Sequence, residues 1–109
     1  KKREYERAVE KYIDAMHLWN SPAWAATAAY LAFMSTYIDS HIVRKYGEAA
    51  SRLVQQDAQA HEQALLAQGN PKTYQPNLLE FDADLKARGI NPGTSADLTV
   101  ATLLLISLV

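Results

Sequence analysis

The sequence predicts an all-α protein of about five helices in an orthogonal or bundle-like arrangement. Two observations carry this. Apolar residues recur at spacings of three and four over long windows, while no stretch shows the period-two alternation of a half-buried strand. The windows are also punctuated by helix start and stop signals: Asn20-Ser21-Pro22, Gly47, Gly69 with Pro71, and Gly89 followed by Asn91-Pro92-Gly93.

The first helix is expected from about Glu4 to Trp19, with Tyr5, Ala8, Val9, Tyr12, Ile13, Met16 and Trp19 on one stripe. Ser21 can cap the second, with Pro22 at its first position. That helix, Pro22 to about Ile38, is rich in alanine and aromatics and has almost no polar face, so it belongs in the centre. A third runs from about Glu48 to Gln68, presenting Leu53, Val54, Ala60, Ala64 and Leu65, with Gly69 beyond its end. The segment NPKTYQPN reads as a loop. A fourth helix follows from about Asn77 to Arg88 with Leu78, Phe81 and Leu85 inward. The last opens at TSADL, where Thr94 and Asp97 have capping-box spacing.

Composition narrows the function classes. The 109 residues suit one helical domain. A net charge of -1 gives no sign of nucleic acid or membrane-surface partners. The Ala23–Met34 run is too short to span a bilayer, and the charged start is not a signal peptide, so a cytoplasmic location is expected. With no cysteine, thiolate chemistry is excluded, and any metal would be a hard ion such as magnesium on oxygen or imidazole ligands. The chain starts without Met inside a helical pattern and ends on an uncapped apolar run, LTVATLLLISLV. We read it as the C-terminal piece of a longer helical enzyme.

Two segments could carry chemistry. In YIDSHIVRKYG (37–47), His41, Arg44 and Lys45 share a helical face, and such a cationic face suits a phosphate chain. Asp39 reaches the same place if a helix ends there. The competing reading is a helix terminus turning into solvent, its cations near the negative dipole end; spacing alone leaves both open. In EFDADLKARGINPGTSADL (80–98), Asp82, Asp84 and Asp97 are candidate bases or magnesium ligands, although Asp82 and Asp84 face apart on a helix. Gly93, Thr94 and Ser95 open a helix whose free N–H groups favour an anion, or they simply cap it. Asp57 and His61, four apart, read as a surface pair, and His17, beside Leu18 and Trp19, reads as packing. Trp19, Trp24, Tyr30, Phe33 and Tyr37 fall at core spacing rather than forming a base-stacking platform. The sequence carries no Walker A loop, Rossmann glycine fingerprint, HExxH or GxSxG motif.

These two segments resemble the triphosphoribosyl-dephospho-coenzyme A synthases. YIDSHIVRKYG is similar to that family's aspartate- and arginine-containing region, and LEFDADLKARGINPGTSADLTVATLLL to its C-terminal signature. The order and intervening length agree, and the resemblance covers nearly everything beyond Trp19. The Arg-Lys-Tyr-Gly form looks closer to the archaeal and methylotroph branch. Family members are longer, with a further N-terminal nucleotide motif.

The resemblance implies an all-helical, cytoplasmic transferase. It would move the triphosphoribosyl unit of ATP onto a ribose hydroxyl of 3′-dephospho-coenzyme A and release adenine, with magnesium. It implies ATP and a dephospho-coenzyme A-like acceptor as partners, with self-association left open. It also implies Asp39, Asp82 and Asp97 as catalytic carboxylates, Asp39 and Asp82 doubling as metal ligands. His41, Arg44, Lys45, Gly93, Thr94 and Ser95 would bind phosphate. The alternatives are a related pentosyl or nucleotidyl transferase of cofactor biosynthesis, or a non-catalytic helical interaction domain.

Overall fold

In the computed structural model the described residues are 2–36, 38–91 and Thr99, with side chains described from residue 6. They are all-helical, as expected, with no strand among them. The order is α1 (Lys2–Trp19), α2 (Pro22–Thr36), α3 (Ser40–Tyr46), α4 (Glu48–Leu66), a 3-10 turn (Pro71–Tyr74) and α5 (Gln75–Ala87). The helix expected from Thr94 lies outside the described residues apart from Thr99, which is helical and buried.

α1 and α2 form an antiparallel hairpin. Asn20 takes a positive φ of 50° at the turn, a conformation asparagine tolerates better than most residues. The Ser21 hydroxyl then accepts the Trp24 N–H at 3.3 Å, capping α2. The seam between the two helices is built of alanine. Ala8 packs with Ala29, Ala32 and Phe33, and Ala15 with Ala25 and Ala28. Small side chains bring the helix axes close, so Tyr12, Met16 and Trp19 cover the seam from its edges. Ile13, expected inside, is 47% exposed.

α4 crosses α2 with a stripe that differs from the expected one. Ser51, Val54, Ala58, Glu62 and Leu65 are buried, whereas Leu53 is 57% exposed and Ala60 is exposed. The chosen stripe keeps the three-and-four spacing but includes a carboxylate. Glu62 is tolerated because its charge is matched. Arg7 of α1 donates to both carboxylate oxygens, at 2.7 and 2.8 Å. The Ser35 hydroxyl donates to Glu62 at 3.1 Å, and the Gln59 amide donates to the Ser35 carbonyl at 2.9 Å. The Glu62 hydrogen bonds hold the Arg7 pKa above its ordinary value against the opposing effect of burial. Three helices are tied at this one point.

The second half departs from the sequence reading in two places. α2 stops at Thr36, and residues 40–46 form a separate short helix. The NPKTYQPN segment is largely ordered helix: Asn70 caps the 3-10 turn by accepting the Lys72 N–H at 3.0 Å, and α5 begins at Gln75. Pro76 is compatible because the first turn of a helix needs no proline N–H. α5 ends in a Schellman arrangement: Gly89 N–H donates to the Lys86 carbonyl and Ile90 N–H to the Leu85 carbonyl, at 3.0 and 2.8 Å. Leu85 and Ile90 then join Met34, Ile42, Val54 and Ala58 in a second core cluster. Among the described residues no helix is long and apolar enough to cross a membrane.

Candidate functional site

Asp39 explains why α3 exists. Its backbone is extended (φ -70°, ψ 120°), and its side chain accepts the N–H groups of His41 and Ile42 at 2.9 and 3.3 Å. It is 4% exposed, so the cap is shielded from water. The apolar anchor is Ile42, 1% exposed within the second core cluster. With Ile42 pointing inward, His41, Arg44 and Lys45 are left exposed. Gly47 ends α3 at φ 91°, a value side chains disfavour, and the chain passes directly into α4. The segment YIDSHIVRKYG thus holds a short helix between α2 and α4. It is a helix boundary, and its cations do face solvent, on a short helix rigidly capped by a buried carboxylate.

The two motif segments meet. The Tyr46 hydroxyl donates to the Gly89 carbonyl at 2.6 Å. Gly89 sits at φ 70°, which side chains disfavour, and a Cβ there would lie 2.8 Å from the Tyr46 hydroxyl, so that the tyrosine would have to shift. This bond joins the end of α3 to the residue just before the Ile90–Asp97 run. Tyr46 went unremarked in the sequence reading, although it stands inside the motif between Lys45 and Gly47. Lys45 lies over its ring, 5.6 Å from the centroid.

Asp82 and Asp84 are exposed on α5. Asp82 pairs with Lys86 at 2.8 Å and Asp84 with Arg88 at 3.2 Å, each one helical turn on. Gly93, Thr94, Ser95 and Asp97 lie outside the described residues. Among the described residues no three His, Asp or Glu side chains are grouped as a metal site.

Between α2 and α5 lies a cavity of about 340 Å³. Leu31, Met34 and Leu85 line its apolar part, Tyr30 and Phe81 supply aromatic rings, and Asp82, Lys86 and Asn91 add polar groups. Phe81 is supported from behind. His61 packs on it with ring centroids 4.5 Å apart, and the His61 Nδ1 is hydrogen-bonded to the Tyr74 hydroxyl at 2.7 Å. Burial pushes the Tyr74 pKa up. The partner of His61 is thus Tyr74 rather than Asp57, because the 3-10 turn folds back onto α4. His17 is exposed rather than packed, while Phe33 is fully buried and the Trp19 indole donates to the Gln68 carbonyl at 3.0 Å.

The family model of CitG, ATP:dephospho-CoA triphosphoribosyl transferase, matches residues 2–109. The chain belongs to this family, whose description names ATP and dephospho-CoA as substrates. No curated protein and no solved structure matches the chain.

Proposed function

We propose that this member of the CitG family takes part in transfer of the triphosphoribosyl unit of ATP onto a ribose hydroxyl of a dephospho-coenzyme A-like acceptor. The observation that carries the proposal is the Tyr46–Gly89 bond, which joins the exposed cations of α3 to the start of the Asn91–Asp97 run. Arg44, Lys45 and His41 hold the triphosphate, Arg44 by its planar fork and Lys45 as a point charge. Gly93, Thr94 and Ser95 add backbone and hydroxyl donors.

In the reaction the bond between ribose C1′ and adenine N9 breaks, and its electron pair leaves with adenine, which takes up a proton. The acceptor hydroxyl forms the new C1′–O bond and gives its proton to a carboxylate base. C1′ gains oxocarbenium character on the way, which a nearby carboxylate stabilises. Asp39, Asp82 and Asp97 are the carboxylates assigned to these tasks.

Magnesium fits this donor set only sparsely. It commonly travels on a triphosphate with water and one or two protein carboxylates. Asp39 or Asp82 would supply such a ligand, and the ion would neutralise phosphate charge.

Asp39 allows capping to be separated from chemistry, because asparagine caps a helix about as well as aspartate. In the full chain, Asp39→Asn should keep the wild-type melting temperature and lose adenine release from ATP. Asp39→Ala should lose adenine release and also about 1 kcal/mol of stability. Undiminished adenine release by a folded Asp39→Asn protein would remove its charge from the mechanism. Release of pyrophosphate in place of adenine would point to nucleotidyl transfer. Release of neither, with no ATP binding, would favour a helical interaction domain.

A further inference from the structure

The cations of α3 account for phosphates but leave the base of a nucleotide unplaced. We propose that the cavity between α2 and α5 is a purine pocket, taking the adenine ring of one of the two substrates. The inference rests on the functional reading above for the identity of the base, but its geometry stands apart from that reading.

Size comes first. About 340 Å³ lies at the small end of the range for ligand sites and accommodates a purine with its ribose. Chemistry comes second. A purine offers two flat apolar faces and a polar edge carrying both donors and acceptors. The cavity matches that division: Tyr30 and Phe81 supply aromatic surface, and at the polar side the Asn91 amide offers both a donor and an acceptor beside the Asp82–Lys86 ion pair.

Preorganisation comes third. Phe81 is held by the His61 ring behind it, and His61 is held by the Tyr74 hydroxyl. A ring fixed this way loses little freedom when a base packs on it. This gives the His61–Tyr74 pair a task that neither capping nor core packing requires.

Location comes last. Asn91 belongs to the cavity lining and stands two residues after Gly89, whose carbonyl accepts the Tyr46 hydroxyl. Met34 lines the cavity and also packs in the cluster that holds Ile42 of α3. The pocket and the inner side of α3 thus meet through Met34.

Leu78→Trp tests the pocket, since it adds bulk at a half-buried position in the lining. Steady-state kinetics on the full chain should show a KM for ATP raised at least tenfold, with kcat within threefold and an unchanged melting temperature, if the bound base is that of ATP. The same rise confined to the acceptor's KM would assign the pocket to the acceptor's adenine. Neither KM moving in a folded protein would overturn the proposal. Asn91→Ala, at an exposed position, carries the same readout should Leu78→Trp fail to fold. Calorimetric titration with free adenine keeps the pocket testable without turnover. Binding by the wild-type full chain that Asn91→Ala weakens supports the pocket even if no adenine is ever released from ATP, an outcome that would sink the transfer reading alone. No adenine binding by the wild type, together with unmoved KM values, rejects the pocket.

Discussion

The α1–α2–α4 layer and the α3–α5 corner are made of the same kind of secondary structure but solve different problems. The layer is tight at its α1–α2 seam. Its alanine seam leaves no space between α1 and α2, and its charged pair, Arg7–Glu62, is supported by the Ser35 hydroxyl and set against α2. The corner is open. Its helix α3 has seven residues, its cations are exposed, and a cavity lies between α5 and α2. In the layer a charge is buried because it is paired. At the corner the carboxylate of Asp39 is buried to define a helix start, and that leaves the positive charges outside. The contrast separates ionisable groups spent on the fold from those left available to a ligand.

The contrast breaks first at Arg7. Replacing it by methionine leaves Glu62 buried without its cation, and we expect a loss of about 3 kcal/mol, the low end for a broken buried pair, because Arg7 itself reaches solvent. Urea denaturation measures this, and a change below about 0.5 kcal/mol, the scale of ordinary surface substitutions, would mean that the layer does not depend on the pair.

A smaller effect should come from Gly89→Ala at the corner. The positive φ alone costs about 1–2 kcal/mol for a side chain. The contact with the Tyr46 hydroxyl adds to that. Combining it with Tyr46→Phe should recover the contact part and none of the φ part, so the two changes should be non-additive in a double-mutant cycle. Additive behaviour would show that α3 and the Gly89 turn are not coupled.

The smallest change in stability belongs to Arg44→Gln with Lys45→Gln. Both side chains are exposed, so thermal stability should stay within about 0.5 kcal/mol of wild type. ATP binding should weaken with salt-sensitive character lost. A large fall in stability would place these cations with Arg7, as structural charges.

Much of this was legible from residue spacing. Helix class, the central place of α2, the Ser21-Pro22 start and the Gly89 stop follow from local rules that need only neighbours in the chain. The choice of stripe on α4 did not follow. Leu53 and Ala60 looked like core residues, and Glu62 was not among them, because a single helix cannot show that Arg7 and Ser35 will meet it from two other helices. Glu62 does fall between Ala58 and Leu65 on a three-and-four stripe, a signal that its charge outweighed. The end of α2 just before Asp39 was expected to within two residues, whereas the separate helix that Asp39 caps was not.

At the site, the residue types were readable and their grouping was not. A carboxylate followed by His, Arg and Lys is compatible with an anion site or with a solvated helix end, and spacing alone leaves both open. That Tyr46 reaches across to Gly89, and that His61 packs on Phe81 and bonds Tyr74 rather than Asp57, are contacts across 43, 20 and 13 positions of sequence. The sequence by itself determined the helical class and most of the helix ends, because capping, proline and glycine act within a few residues. Only the tertiary structure decided which polar groups are buried and which segments share a corner, because those depend on what the rest of the chain brings alongside.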